Sequence, residues 1–153
     1  MSHEVEIGRG KRGRRAYTLD DIALVPARRT RDPEDVNVGW QIDAYHVDIP
    51  LMAAPMDSVM SPETAIAFGR LGGIGVLDLD GLWTRYEDPE PILDQIAHLG
   101  EEESIATLQR VYSEPIKPAL ITERLTQLRE AGVVVAGKLS PQRVQQHWRA
   151  VVD

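Results

Sequence analysis

Three short polar segments, each following an apolar run, carry the side chains of this sequence that could do chemistry. They are Ala54-Pro55-Met56-Asp57-Ser58, Asp78-Leu79-Asp80-Gly81 and Lys138-Leu139-Ser140. Two of the aspartates could work as a general acid and a general base, and Lys138 could form a Schiff base if it were desolvated. In the plainer alternative the aspartates are turn residues and Lys138 is solvated. We favour that alternative for Lys138, because most lysines are exposed.

The apolar runs before these segments predict β-strands with helices between them. Residues 49–54 form a continuous apolar stretch, which is typical of a parallel strand covered on both faces. Ser61-Pro62-Glu63 predicts the start of a helix, because serine can cap free amides and proline suits the first helical position. That helix ends at Gly72-Gly73. Residues 74–77 predict a second strand, and the glycines of GGIG at its start favour close packing of helix against strand.

The remainder of the chain continues this alternation. The patterns predict helices over about 89–99, 121–131 and 140–152. A further segment runs over about 102–112, and residues 133–137 predict a third strand. This order of elements is typical of a parallel α/β sheet with right-handed crossovers. In such folds the carboxyl ends of the strands lie at one edge and carry the site. We therefore expect the three polar segments to converge there.

The chain ahead of residue 49 lacks this regularity. Residues 1–16 contain GRGKRGRR, in which glycines alternate with cations, so we expect a basic arm that is flexible or orders only on contact. Residues 17–48 are expected to be extended segments flanking the α/β part. Within them, alternation typical of a short strand is shown by Val36, Val38, Trp40 and Ile42.

Composition limits the classes of protein to consider. Hydrophobic residues make up 42% of the 153 residues and charged residues 27%, which are globular values. There is no cysteine, which excludes a disulfide scaffold and a cysteine nucleophile within the chain, and the four histidines are too scattered to predict a metal site. The first residues lack the apolar core of a signal peptide, and no apolar run approaches the roughly 18 residues of a membrane span. We expect a cytoplasmic protein that does not contact membranes.

The net charge of −7 is unevenly distributed. Residues 1–31 hold eight Lys and Arg against four Asp and Glu, a balance of +4, so the remainder carries −11. A basic arm ahead of an acidic body could contact nucleic-acid phosphates, which is the alternative function that stays open. However, no aromatic residue is interleaved among the five cations of residues 9–15. Nucleic acid is therefore the less favoured partner, because recognition of single strands uses stacking on aromatic rings.

Two segments together resemble the start of the IMP dehydrogenase/GMP reductase family. The first is YTLDDIALVPARRT, which begins at residue 17, and the second is IPLMAAPMDSVMSPETAIAFGRLGGIGVL, which spans residues 49–77. They match the family's YDD-LL-P segment and its P-M-D-(T/S)-V motif, followed by a helix that closes on GG-G. The chain looks most like the bacterial IMP-dehydrogenase-related branch that lacks CBS modules, because the interval between the second and third strands has no room for them.

The resemblance implies the fold and the ligands. It implies a (β/α)₈ TIM barrel, of which residues 49–153 would supply the first three βα units. It also implies a purine nucleotide monophosphate (IMP or GMP) as substrate, NAD or NADP as cofactor, and a homo-oligomer, often a tetramer. The family's methionine that lies against the nucleotide falls on Met56, beside Asp57, and its small polar residue two positions earlier falls on Ala54. These three residues are the expected substrate-binding residues.

Departures from the family pattern bear on the reaction. Ala54 stands where dehydrogenases usually have serine, and Asp78-Leu79-Asp80 stand where many have His or Asn, which leaves room for GMP reduction. The family's nucleophilic cysteine, its phosphate loops and its aspartate for the nicotinamide ribose belong to later parts of the barrel. A barrel needs about 250 residues, so we expect this chain to be its front part. We expect it to be inactive alone, with no catalytic residue and most cofactor-binding residues elsewhere.

Overall fold

The computed structural model describes residues 4–25 and 31–152, which divide into two compact units, one up to Asn37 and one from Val38 onward. The first unit opens with an antiparallel hairpin of strands β1 (Glu4–Glu6) and β2 (Arg12–Arg14). The sequence predicted no strand in this basic arm. Cross-strand pairing of Glu4 with Arg14 and of Glu6 with Arg12 places opposite charges together and accounts for it. The flexibility of the arm stays a prediction.

The segment from residue 17 onward is less extended than predicted. Thr18 and Asp21 bond to each other across a short 3₁₀ turn at Leu19–Asp21, and a second 3₁₀ turn covers Pro33–Asp35. The arm's first three residues and residues 26–30 of the family-like segment lie outside the described residues.

The second unit begins with a hairpin that the sequence analysis only half predicted. The alternation over residues 36–42 corresponds to strand β3, which is confined to Trp40–Ile42. Its antiparallel partner β4 (Tyr45–Val47) was missed. The turn between them has Asp43 at φ 49°, in the left-handed region that aspartate tolerates better than most residues.

A three-stranded parallel sheet follows, with its strands in sequence order, as predicted. Its strands are β5 (Met52–Ala53), β6 (Ile74–Asp78) and β7 (Ala136–Lys138). β5 and β7 are shorter than the apolar runs that predicted them. Met52 of β5 is 61% exposed, so the described residues do not cover this strand on both faces, and its full coverage in a larger sheet stays a prediction. Within the described residues β5 has a sheet neighbour on one side only.

Five α-helices lie within three residues of their predicted bounds. They are α1 (Pro62–Arg70), α2 (Glu90–Ala97), α3 (Glu101–Val111), α4 (Pro118–Glu130) and α5 (Pro141–Val152). The Ser61 hydroxyl accepts a hydrogen bond from the Thr64 amide at 3.1 Å, so the predicted cap of α1 is confirmed. None of the helices in the described ranges is long and apolar enough to cross a lipid bilayer.

The core lies between the sheet and the helices α1 and α4. Its fully buried side chains include Leu77 and Leu79 near the end of β6 and Ile121 and Leu128 on the inner face of α4. α1 packs directly on β6 at Gly75, where a Cβ atom would lie 2.6 Å from the Ala65 Cα. The close helix–strand packing predicted from GGIG is therefore confirmed, and it sets the distance of α1 from the sheet edge that carries the polar segments.

Candidate functional site at the carboxyl ends of the strands

The predicted convergence of polar segments occurs where β6 and β7 end. Asp78 and Lys138 are register partners at the ends of these neighbouring strands. The Lys138 Nζ lies 3.3 Å from Asp78 Oδ1 and 3.5 Å from Asp80 Oδ2. The second and third polar segments thus form one ion-paired cluster.

Backbone amides donate hydrogen bonds to both aspartates of this cluster. Asp78 Oδ1 accepts a hydrogen bond from the Asp80 amide at 3.0 Å, which makes a tight turn after β6. Asp80 Oδ2 accepts one from the Ser140 amide at 2.7 Å, which joins that turn to the loop after β7. The plainer interpretation of the two aspartates as turn residues fits these contacts.

The surroundings of Lys138 disfavour a Schiff-base role. Partial burial lowers the pKa of Lys138, but its hydrogen bond and charge interaction with Asp78, together with Asp80, outweigh burial and hold the pKa above its usual value. A Schiff-base lysine needs a neutral amine, usually obtained by desolvation. Lys138 is exposed, as expected, and is held in its charged form.

The first segment forms a tight turn between β5 and α1. Pro55 follows the exposed Ala54, and the Met56 carbonyl accepts hydrogen bonds from the amides of Val59 and Met60 at 3.0 and 2.8 Å. The Ser61 cap then starts α1 immediately. The turn is therefore held between a strand and a capped helix, and it presents Met56 with 51% of its surface exposed.

Asp57 points inward from this turn. Its Oδ2 accepts a hydrogen bond from the Leu82 amide at 2.8 Å and another from the Tyr112 hydroxyl. Its Oδ1 is buried, has no hydrogen-bond partner among the described residues and lies against Gly81, where a Cβ atom would be 2.1 Å away. Asp57 is thus enclosed by the loop after β6 and by the end of α3.

The electrostatics of Asp57 and Tyr112 follow from this enclosure. Burial raises the pKa of Asp57, and the negative charge of Asp78 adds to it. The hydrogen bonds from Tyr112 and Leu82 and the charge of Arg85 act in the opposite direction without cancelling the effect. Burial also raises the pKa of Tyr112, and its hydrogen bond to the Asp57 carboxylate raises it further, so the phenol keeps its proton.

A cavity of about 440 Å³ opens beside this turn. Met56 and Asp57 line it, together with Asp78 from the end of β6. Ala54 is exposed but does not belong to its wall. The lining that comes from the α2 and α3 region and the loop after β6 is mostly apolar: Leu82, Leu93, Ile96, Leu108 and Tyr112.

The sequence did not predict that Tyr112 and the apolar side chains of α2 and α3 belong to this site. The helix over about 89–99 and the segment over about 102–112 were found, but nothing in their patterns indicated which surface their apolar residues cover. The structure supplies the missing signal, since Leu108 on α3 remains 38% exposed. An apolar helix face that packing does not cover is compatible with a ligand surface.

Within the described part of the chain, Arg85 and Lys138 contact residues that line the cavity, and both cations are already engaged. Arg85 donates to the carbonyls of Asp80 and Glu114, and Lys138 pairs with the aspartates. A dinucleotide needs donors for its pyrophosphate. The groups at this edge of the described sheet do not supply them, so they do not fit NAD or NADP by themselves.

Comparison with known proteins decides the family. The sequence model of the IMP dehydrogenase / GMP reductase domain matches residues 16–145. The chain belongs to this family. An uncharacterized oxidoreductase of Mycolicibacterium smegmatis is 44% identical over 146 residues, which cover 92% of this chain and 39% of that protein. The inosine-5'-monophosphate dehydrogenase of Thermoplasma acidophilum is 31% identical over 122 residues, covering 78% of this chain and 24% of that enzyme.

A solved structure supports the α/β fold. The crystal structure of an IMP dehydrogenase/GMP reductase-like protein from Corynebacterium glutamicum is similar with a TM-score of 0.82 and 40% sequence identity. The similarity covers 97% of this chain and 41% of that protein. The chain is thus an α/β member of an oxidoreductase family. It spans about two fifths of the length of the Mycolicibacterium oxidoreductase and of the Corynebacterium protein.

Two of the five cations of the basic arm face glutamates. In the β1–β2 hairpin Arg12 and Arg14 lie opposite Glu6 and Glu4, and Arg12 Nη1 is 3.3 Å from Glu4 Oε2. Phosphate binding would require these arginines to exchange their glutamate partners for phosphates. Neither the structure nor the comparisons support the nucleic-acid alternative.

Proposed function

We propose that this chain forms one wall of a purine nucleotide pocket in an IMP dehydrogenase/GMP reductase-type oxidoreductase. The observation that carries the proposal is Met56, which is half exposed and lines a cavity at the carboxyl ends of parallel strands. A methionine side chain is flexible and polarizable and packs well against an aromatic ring such as a purine. Ala54 and Asp57 complete the proposed substrate-binding set. Asp57 would act by holding the turn that presents Met56.

The rest of the pocket is proposed to come from further βα units of a TIM barrel. β5 and β7 each have one sheet neighbour among the described residues, so both edges can accept another strand. The additional units would come from the remainder of a barrel or from another copy of the chain in a homo-oligomer. A cytoplasmic location and the choice between IMP oxidation and GMP reduction stay predictions.

The proposed cofactor, NAD or NADP, rests on the family alone. It would exchange hydride with the purine ring, and the residues of this chain would hold that ring from one side. The chain contains no cysteine, so it cannot form the covalent purine intermediate that the family resemblance implies. We therefore expect no IMP- or GMP-dependent turnover of NADH or NADPH by the 153-residue chain alone.

Methyl NMR of methionine-labelled protein tests the nucleotide site directly. Met52, Met56 and Met60 lie close together in sequence but differ in position: Met52 is 61% exposed on β5, Met56 lines the cavity and Met60 is buried. Titration with IMP and with GMP is expected to shift the Met56 methyl signal and leave the Met52 signal in place. Met56→Ala should weaken binding by about tenfold, which equals 1.4 kcal/mol, with Met52→Ala as the matched control.

Two results would contradict the proposal. One is the absence of any Met56 shift with either nucleotide, and the other is an equal loss of affinity in Met52→Ala and Met56→Ala. If neither result is found, the tighter-binding nucleotide, IMP or GMP, indicates which direction of the reaction to assay first.

A further inference from the structure

Tyr112 joins two parts of the site that are far apart in sequence. It follows the last residue of α3, and its hydroxyl donates a hydrogen bond to Asp57 Oδ2, 55 residues earlier in the chain. The same oxygen accepts the Leu82 amide, and the other carboxylate oxygen is buried. Oδ2 of Asp57 is therefore occupied by hydrogen bonds within the protein, and Oδ1 is buried with no hydrogen-bond partner among the described residues.

Tyr112 is itself held from the other side. The guanidinium of Arg85 lies 5.7 Å from the centre of the Tyr112 ring, a stacking distance for a cation over an aromatic face. Arg85 is only 6% exposed, and its Nε and Nη2 donate to the Asp80 carbonyl at 3.2 and 2.9 Å, while Nη1 donates to the Glu114 carbonyl. The ring thus lies between a fixed guanidinium and the Asp57 carboxylate.

Met56 is the residue directly before Asp57, so a contact that fixes Asp57 also fixes the backbone that presents Met56. Tyr112 lines the same cavity as Met56. We propose that Tyr112 is a positioning residue for the substrate: through Asp57 it holds the Met56 turn in place, and its ring closes the α3 side of the pocket. This inference rests on the proposed function of the Met56 cavity.

The variant Tyr112→Phe tests the inference, because it keeps the ring and its stacking on Arg85 and removes only the hydroxyl. Tyr86→Phe is the matched control, since the Tyr86 hydroxyl donates to the Val111 carbonyl at 3.1 Å, next to Tyr112, without touching Asp57. We expect Tyr112→Phe to weaken IMP or GMP binding several-fold and to shift the Met56 methyl signal in the unliganded protein. Tyr86→Phe should leave both unchanged.

A carboxyl NMR titration of Asp57 reads the contact without any nucleotide. Asp57 is faced by Tyr112, the Leu82 amide, Asp78 and Arg85. The hydrogen bonds from Tyr112 and Leu82 and the charge of Arg85 lower the pKa of Asp57, whereas the charge of Asp78 raises it. Removing the Tyr112 hydroxyl should raise the Asp57 pKa further, whereas Tyr86→Phe should not move it. Should Tyr112→Phe fail to fold, Asp57→Asn tests the contact from the other side, because loss of the carboxylate should lower the pKa of Tyr112.

The outcomes separate this inference from the proposed function. If the wild-type chain binds IMP or GMP and Tyr112→Phe changes neither the affinity nor the Asp57 titration, the positioning role is overturned while the nucleotide site stands. If the Asp57 pKa rises as expected but the wild-type chain binds neither nucleotide, the proposed function is overturned, and with it the role of Tyr112 toward substrate. A several-fold loss of affinity with a raised Asp57 pKa, both specific to Tyr112→Phe, supports it.

Discussion

Replacement of Gly75 by alanine probes the contact that places the site. A Cβ atom at Gly75 would lie 2.6 Å from the Cα, 2.8 Å from the Cβ and 2.9 Å from the carbonyl oxygen of Ala65, whereas ordinary contact begins at 3.4 Å. Two of these three atoms belong to the backbone of α1, so no side-chain rotation relieves the overlap. α1 would have to withdraw from β6 by about 1 Å, and a gap of that size forfeits up to about half of the dispersion attraction across the contact.

The size of the effect follows from opposing contributions. Overpacking of this kind costs about 1–3 kcal/mol, and a backbone obstacle favours the upper end of that range. Alanine is more favourable than glycine within a strand by about 0.5–1 kcal/mol, which offsets part of the loss. We expect Gly75→Ala to lower the free energy of unfolding by about 2 kcal/mol.

Two further glycines provide a graded control series. At Gly73 a Cβ atom would meet only the ring of Phe68, at 2.4 Å, and a side chain can move aside. At Gly100 nothing lies within 4 Å, so its alanine variant should stay within about 0.5 kcal/mol of the wild type. The expected order of destabilisation is therefore Gly75, then Gly73, then Gly100.

Urea unfolding at one fixed protein concentration, followed by tryptophan fluorescence, measures the series, since Trp83 is buried near the site. Because α1 begins directly after the Met56 turn, Gly75→Ala should also shift the Met56 methyl signal. A Gly75→Ala protein as stable as Gly100→Ala would refute the idea that this contact limits the approach of α1 to the sheet.

Three other predictions test the cap, the sheet edges and the charge of Asp57. Ser61→Ala removes the side-chain acceptor for the Thr64 amide and should cost about 1 kcal/mol in urea unfolding, with Ser58→Ala as the control. Because β5 and β7 have open edges within the described residues, sedimentation should show self-association, and a monomer that unfolds cooperatively would contradict this. Burial raises the Asp57 pKa. The stability that the protonated carboxyl of Asp57 contributes is therefore fully present below about pH 4 and is lost as the pH rises through the raised pKa. Asp57→Asn should remove this pH dependence from the free energy of unfolding measured between about pH 3 and 7.

The sequence by itself determined the order of the elements and the family. Periodicity, the Ser-Pro starts and the glycine stops are local signals, because capping and helix packing act within a few residues. Within the described residues they located four of the helices, the segment that forms α3, and the parallel order of the sheet. The PMD motif likewise identified the turn at Met56 and Asp57 from adjacent residues. Signals from residues close together in sequence were sufficient for these predictions.

Strand lengths and the other half of the site were decided only by tertiary structure. A strand extends as far as its neighbours pair with it, so the apolar run from Ile49 became the two-residue β5. The contact of Tyr112 with Asp57 and that of Lys138 with Asp78 join residues 55 and 60 positions apart. Such pairs leave no periodic signal in the sequence, because their distance depends on where the tertiary fold places α3 and β7. The enclosure that raises the Asp57 pKa exists only once those elements have docked.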